Sequence, residues 1–284
     1  FGTFGWNFDP AVTGRNYYMR GARTGLGTAL LLTGDQSFAE PLRRQLANLY
    51  AVKREEGGRT LLPQKHGPNG WYGYTANQYF DVHRDLYLWS MNEADLAHLA
   101  ADPWLNFLRG KNAGYPAAAL AREFERLRGR VAAMRADEST KETRPSDGAQ
   151  RFSPVATETL VNLMLGGNDP GSSGNILHAR LRYFDPARRR AGLPEDVAAL
   201  VTGLTAETAT VVLVNTNPVV GRAVTVQLGA FGEHAGTYVE IGGKRTALAG
   251  SDFRVELAAG AGERLVIGMK RYANRPRAEM PWER

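Results

Sequence analysis

Apolar positions recur with helical spacing up to about residue 166 and alternate with period two beyond about residue 205, so the chain changes architecture once. This predicts an α+β multidomain protein: a helical domain over 1–166, a junction over 167–204, and an antiparallel β-sandwich with a C-terminal tail over 205–284. Helices are expected from Arg15 to Leu32 and from Phe38 to Lys53. Gly34 would end the first, Asp35 or Ser37 would cap the second, and Leu42, Leu46, Leu49 and Tyr50 would form its apolar face. A long helix is expected from about Thr75 to Ala100, closed by Asp102-Pro103, with Tyr79, Val82, Leu86 and Trp89 inward. Further helices are expected over Pro116 to Ala136 and from Ser153-Pro154 through Leu160, Leu163 and Leu165, with the polar stretch from Asp137 to Arg151 as a surface loop.

Beyond the junction, six short runs read as strands: Thr210–Asn215, Ala223–Leu228, Thr237–Ile241, Arg245–Leu248, Phe253–Leu257 and Arg264–Gly268. Turn residues separate them, Gly242-Gly243 forming a hairpin turn, and the spacing suits an antiparallel sandwich. Val224, Val226 and Leu228 would face inward, with Thr225 and Gln227 outward.

Composition narrows the picture in a few respects. With 284 residues, 43% of them hydrophobic, the chain can bury a sizeable core. The absence of cysteine removes disulfides, thiolate metal sites and a cysteine nucleophile. No apolar run reaches the roughly 20 residues of a membrane-spanning helix. The net charge of +6 favours acidic ligands weakly. Arg188-Arg189-Arg190 is the one dense basic run; without a recognisable nucleic-acid motif it reads as a solvated loop, and no nucleic-acid partner is expected.

The segment from Gly70 to Trp89 (GWYGYTANQYFDVHRDLYLW) concentrates rings, carboxylates, a histidine and an arginine. Flat aromatic faces suit the C–H faces of sugars, and Asp, Asn, Gln, Arg and His supply the hydrogen bonds that hydroxyls and uronates require. A polysaccharide or oligosaccharide is therefore the expected partner, a reading that favours a secreted or periplasmic location.

Helical hairpins with polar aromatic loops followed by a small β-domain resemble the α/α-toroid enzymes that act on polysaccharides, among them heparinase- and chondroitinase-type lyases and several glycoside hydrolases. Gly70-Trp71-Tyr72-Gly73-Tyr74, Asp85-Leu-Tyr-Leu-Trp89, Arg144-Pro-Ser-Asp-Gly148 and Leu165-Gly-Gly-Asn-Asp-Pro170 also resemble uncharacterised bacterial proteins of planctomycete type. A closed toroid uses about twice the five or six helices expected here. The resemblance thus implies that the chain is the C-terminal portion of a larger enzyme, with a missing N-terminal half as a further partner.

Cleavage of an acidic polysaccharide by β-elimination needs a group to neutralise the uronate, a base for the C5 proton and an acid for the leaving oxygen. The candidate bases are His83 and His66, and the candidate acids Tyr72, Tyr74 and Tyr79. Arg20 and Arg84 are the candidate neutralisers, with Trp71, Asn16, Tyr17 and Gln78 as further substrate contacts. Asn16 and Arg20 would share one helical face as a clamp for a carboxylate. The alternative is a glycoside hydrolase, with Asp81 or Asp85 paired to a distant carboxylate such as Glu93, Asp95 or Asp147. A third reading is a non-catalytic carbohydrate-binding or structural module. Against these stands a structural role for Asp81 and Asp85, one turn apart and ion-paired to Arg84, Arg20 or Lys65. The loop from Leu165 to Asn175 could hold calcium through its oxygens, or simply close the helical domain; no other cofactor is expected.

Overall fold

A computed structural model describes residues 15–16, 20–67, 69–76, 78–143, 153–170 and 175–283, with side chains from Arg23 onward. Tyr17, Asn77 and Asp147 lie outside the described residues, as do the side chains of Asn16 and Arg20. The fold is α+β, with helices first and two antiparallel sheets last.

The first departure from expectation comes early. Arg15–Asn16 is a short strand, β1, paired with Lys65 and His66, and helix α1 runs only over Arg20–Thr33. Asn16 and Arg20 therefore do not share a helical face. After α1, Asp35 caps the 3-10 turn Gln36–Ala39 by accepting from Ser37 N at 2.8 Å, and α2 follows over Glu40–Tyr50. Its Leu42, Leu46 and Leu49 are buried as the spacing predicts.

The second departure is the segment from residue 54 to 76, which forms three strands: β2 (Arg54–Glu56), β3 (Arg59–Gly67) and β4 (Gly70–Ala76). Gly57 and Gly58 join β2 to β3 with φ of 56° and 71°, a geometry that β-carbon-bearing residues resist. Alternation of aromatic and small residues favours pairing of Gly70–Ala76 with β3 over helix. The long helix expected from Thr75 contracts to α3, Phe80–Ser90, because Tyr79 (φ 63°) and Met91 (φ 54°) bound it in left-handed conformation.

Asp102 then caps α4 (Pro103–Leu108), accepting from Trp104 N at 2.9 Å and Leu105 N at 3.0 Å. Helix α5 covers Tyr115–Arg135, close to its expected span. The last helix starts at Glu158 rather than at Ser153: α6 is Glu158–Leu160, continued by a π turn over Val161–Leu165 that Gly166 ends at φ 61°. Leu163 is buried, but Leu160 faces solvent.

Six expected strands are present, as β8 (Thr208–Asn215), β9 (Arg222–Leu228), β10 (Ala235–Ile241), β11 (Lys244–Ala247), β12 (Asp252–Leu257) and β13 (Gly262–Lys270). Three more lie in the expected junction: β5 (Leu181–Asp185), β6 (Arg190–Ala191) and β7 (Val197–Leu204). Leu181, Tyr183 and Val201 belong to the sandwich core, which is why this stretch is sheet rather than linker. The sheets are ordered β11-β10-β13-β8-β7 and β12-β9-β5-β6, every pairing antiparallel.

Val224, Val226 and Leu228 are fully buried between the sheets, and Gly242 and Gly243 form the expected hairpin turn. Gln227, expected outside, is buried because its amide donates to the carbonyls of Gly229 (3.3 Å) and Ala230 (3.1 Å). The basic run lies at the β5–β6 turn, where Arg188 pairs with Glu195 at 2.6 Å and Arg190 with Asp185 at 3.3 Å.

Helix α3 contributes to both cores. Tyr87 and Leu88 join Trp104, Leu105 and the sandwich interior, whereas Val82, Leu86 and Trp89 join the leucines of α1 and α2. Arg271 fastens the sandwich to the end of α3 by donating to the carbonyls of Leu88 (3.3 Å), Trp89 (2.7 Å) and Ser90 (2.8 Å), groups a helix end leaves unpaired. Among the described residues no helix is long and apolar enough to cross a membrane.

Candidate functional site

Two polar clusters flank α3. On one side Asp81 and Asp85, one turn apart, both receive Arg23 of α1, with Arg23 Nε 2.6 Å from Asp85. Asn168 completes the group by donating to Asp85 Oδ1 at 2.6 Å. Arg23, Asp85 and Asn168 are buried. Burial pushes the Asp85 carboxyl upward, while the Arg23 charge and the Asn168 amide pull it back. The sequence thus anticipated an ion-paired role for these aspartates, but the partner is Arg23, which it had not singled out.

Arg84 is equally committed. It donates to Asp102 at 2.9 Å and to Asn168 at 3.4 Å, and its guanidinium lies over Trp104 and Phe80. Residues 171–174 of the glycine-rich loop after α6 lie outside the described residues; its described part acts here as a brace, Asn168 being used as above and Asp169 accepting from Thr157 at 2.8 Å. Gly167 is needed because any β-carbon would strike the His178 carbonyl. No group of three or more His, Cys, Asp or Glu side chains is arranged to hold a metal among the described residues.

The other side of α3 faces a cavity of about 610 Å³ lined by Tyr50, Arg59, Thr60, Leu62, Ala76, Gln78, Phe80, His83 and His98. Helix α2 delivers Tyr50 from its last turn, the first two residues of β3 are Arg59 and Thr60, and α3 delivers Phe80 and His83. Tyr50 Oη lies 3.3 Å from His83 Nε2. His98 stacks on Tyr50 with ring centroids 3.9 Å apart and an interplanar angle of 20°, and stands 4.8 Å from His83. Burial, helped by the neighbouring His98, lowers His83 to about 4. Partial burial and then Lys53 lower His98. Burial raises the Tyr50 phenol. Near neutral pH the cavity therefore presents two uncharged imidazoles, a protonated phenol and the Arg59 cation. No carboxylate is among the lining residues.

Of the described residues singled out from sequence, His83 and Gln78 line this cavity and the others are not among its lining residues. His66 is exposed on β3, edge-on to Trp71 at 4.8 Å. Tyr72 is exposed on β4, with Lys65 over its ring at 5.9 Å. Tyr74 donates to the Val52 carbonyl at 3.0 Å under Arg54, and Tyr79 is buried, donating to the Pro63 carbonyl at 2.8 Å. Three cavity residues, Tyr50, Arg59 and His98, were not among the candidates. In the sequence Tyr50 falls in the apolar stripe of α2, His98 is one histidine of five, and the signal that places Arg59 is the Gly57-Gly58 hairpin turn.

A family comparison matches residues 98–161 to a domain of unknown function (DUF8034), a stretch that begins at His98 and takes in α4, α5 and the start of the last helix. No curated protein and no solved structure matches the chain.

Proposed function

We propose that the chain is a glycan-active protein, or the C-terminal portion of one, that cleaves an acidic polysaccharide by β-elimination in the cavity beside α3. One observation carries the reading: a neutral histidine and a protonated phenol 3.3 Å apart, in a cavity that also holds an arginine. In this scheme Arg59 pairs with the uronate and makes the C5 proton more acidic. His83 Nε2 takes that proton, the C4–O bond breaks as the C4=C5 double bond forms, and Tyr50 protonates the departing oxygen. The proton then passes from the His83 imidazolium to the Tyr50 phenolate, restoring both groups. Histidine lowered by burial remains an unprotonated base across the neutral range.

Helices α1 and α2, joined through a 3-10 turn, support reading this part as a helical hairpin of α/α-toroid type. A hydrolase is less well supported, since Asp81 and Asp85 share Arg23 and point to one cluster.

The test is incubation with uronic-acid and neutral polysaccharides, following absorbance of unsaturated products together with new reducing ends. Unsaturated products that vanish in His83→Gln and Tyr50→Phe are expected. Reducing ends without unsaturation would replace the lyase by a hydrolase, and saturable binding with neither signal would replace it by a binding module.

A further inference from the structure

We propose that His98 is a positioning residue for the Tyr50–His83 pair: its ring lies flat on Tyr50 and fixes the direction in which the phenol points at His83. Tyr50 is the last residue of α2, so no following turn of that helix packs against its side chain. The three rings come from three separate elements and constrain one another. His98 stacks on Tyr50, and the rings of Tyr50 and His83 meet at 66° with centroids 5.6 Å apart. With the phenol wedged in this way, its oxygen falls within 3.3 Å of His83 Nε2.

His98 can act as a fixed wall although its own side chain is exposed, because the backbone beneath it is held on both sides. Leu99, 2% exposed, is an anchor in the core; its N donates to Leu96 O at 2.8 Å, and Asp102 N donates to Leu99 O at 2.9 Å before Asp102 caps α4. The surrounding charges are occupied elsewhere. Asp95, from the turn below, is held by Arg43 at 2.7 Å and Ser90 at 2.6 Å; Asp81 by Arg23; and Lys53 by Glu55 at 2.8 Å. Arg59, the remaining charge lining the cavity, offers the phenol proton no acceptor, so stacking on His98 sets the direction of the phenol towards His83.

The catalytic consequence rests on the β-elimination reading, but the geometric one does not, so the experiment reads both. Imidazole-labelled protein is titrated by NMR without substrate, as wild type, His98→Ala and His98→Phe. His98→Ala removes the wall from an exposed position and is expected to fold. Its His83 midpoint should rise by about one unit towards the ordinary value, partly because the His98 charge is gone and partly because the phenol swings away and water enters. His98→Phe restores a flat ring without the charge and should return the part of that shift that comes from the phenol and water; a midpoint that stays as high as in His98→Ala overturns the proposal. With substrate, His98→Ala should lower kcat roughly ten- to a hundredfold at nearly unchanged KM, and His98→Phe should recover most of it. A His83 midpoint unmoved in His98→Ala overturns the proposal. A midpoint that moves in alanine and returns in phenylalanine upholds it even if the wild type cleaves no glycan, in which case the lyase reading falls alone.

Discussion

The two sides of α3 use similar residue types for opposite ends. The Asp81–Asp85 side is a closed circuit in which each carboxylate meets Arg23 and Asp85 also meets Asn168. The Tyr50–His83–His98 side has a long hydrogen bond, Arg59 as the charged residue among the described ones lining it, and a cavity in front of it. Polar groups buried with all their partners hold elements together; polar groups left with spare hydrogen-bonding capacity next to open volume are available to a ligand. The segment richest in chemistry-bearing residues is thus divided by a single helix into a brace and a candidate site.

The largest expected effect breaks the brace. Arg23→Ala would leave the Asp85 carboxylate buried without its cation, and denaturant unfolding should show a loss of roughly 3–5 kcal/mol. The corresponding change on the cavity side should do the reverse. Tyr50→Phe should leave stability within about 1 kcal/mol of wild type, since one long hydrogen bond is lost, and should reduce glycan cleavage roughly a hundredfold or more.

The contrast sharpens with pH. Burial holds His83 and His178 down to about 4 and His234 well below its ordinary value. Between about pH 6.5 and 4 the unfolded chain binds protons that these native groups refuse, so their contribution is full above the unfolded pKa and is lost as the pH falls. Glu233, raised to about 7 by burial, acts in the opposite sense: its contribution is full at low pH and lost as the pH rises through 7. Asp85, also raised by burial, acts in the same sense as Glu233, but the lowered histidines His83, His98, His178 and His234 outnumber the two carboxyls, so unfolding free energy measured against pH should rise from pH 4 to 6.5. His83→Gln should flatten that slope by up to one proton. The smallest effect is expected on the exposed hairpin, where His66→Ala or Tyr72→Ala should shift stability by no more than about 0.5 kcal/mol and, because neither lines the cavity, leave turnover intact.

How much of this was legible depended on the range of the interactions concerned. Helix α5 and strands β8 to β13 were readable because their periodicity, caps and glycine turns are local. The segment from Arg54 to Ala76 was not. Its aromatic run suits a loop or a helix start equally well until β3 is seen pairing on both edges, with β1 and β2 on one side and β4 on the other. Strands β5 and β7 were hidden by short, half-polar patterns whose burial comes from the facing sheet.

The candidate site divides along the same line. That α3 carries chemistry was evident from its composition, and His83 was identified with it. The partners of His83 come from 33 positions upstream, through Tyr50, and from His98, which follows the turn after α3. What the sequence by itself determined is the class of each element and the place where polar and aromatic residues concentrate, because propensity, periodicity and capping act over a few residues. What only the tertiary structure decided is the pairing of Arg23 with Asp81 and Asp85, and the meeting of Tyr50, His83 and His98 around one cavity. Those depend on how α1, α2 and α3 pack, and a charge is spent or spare according to neighbours that are distant along the chain.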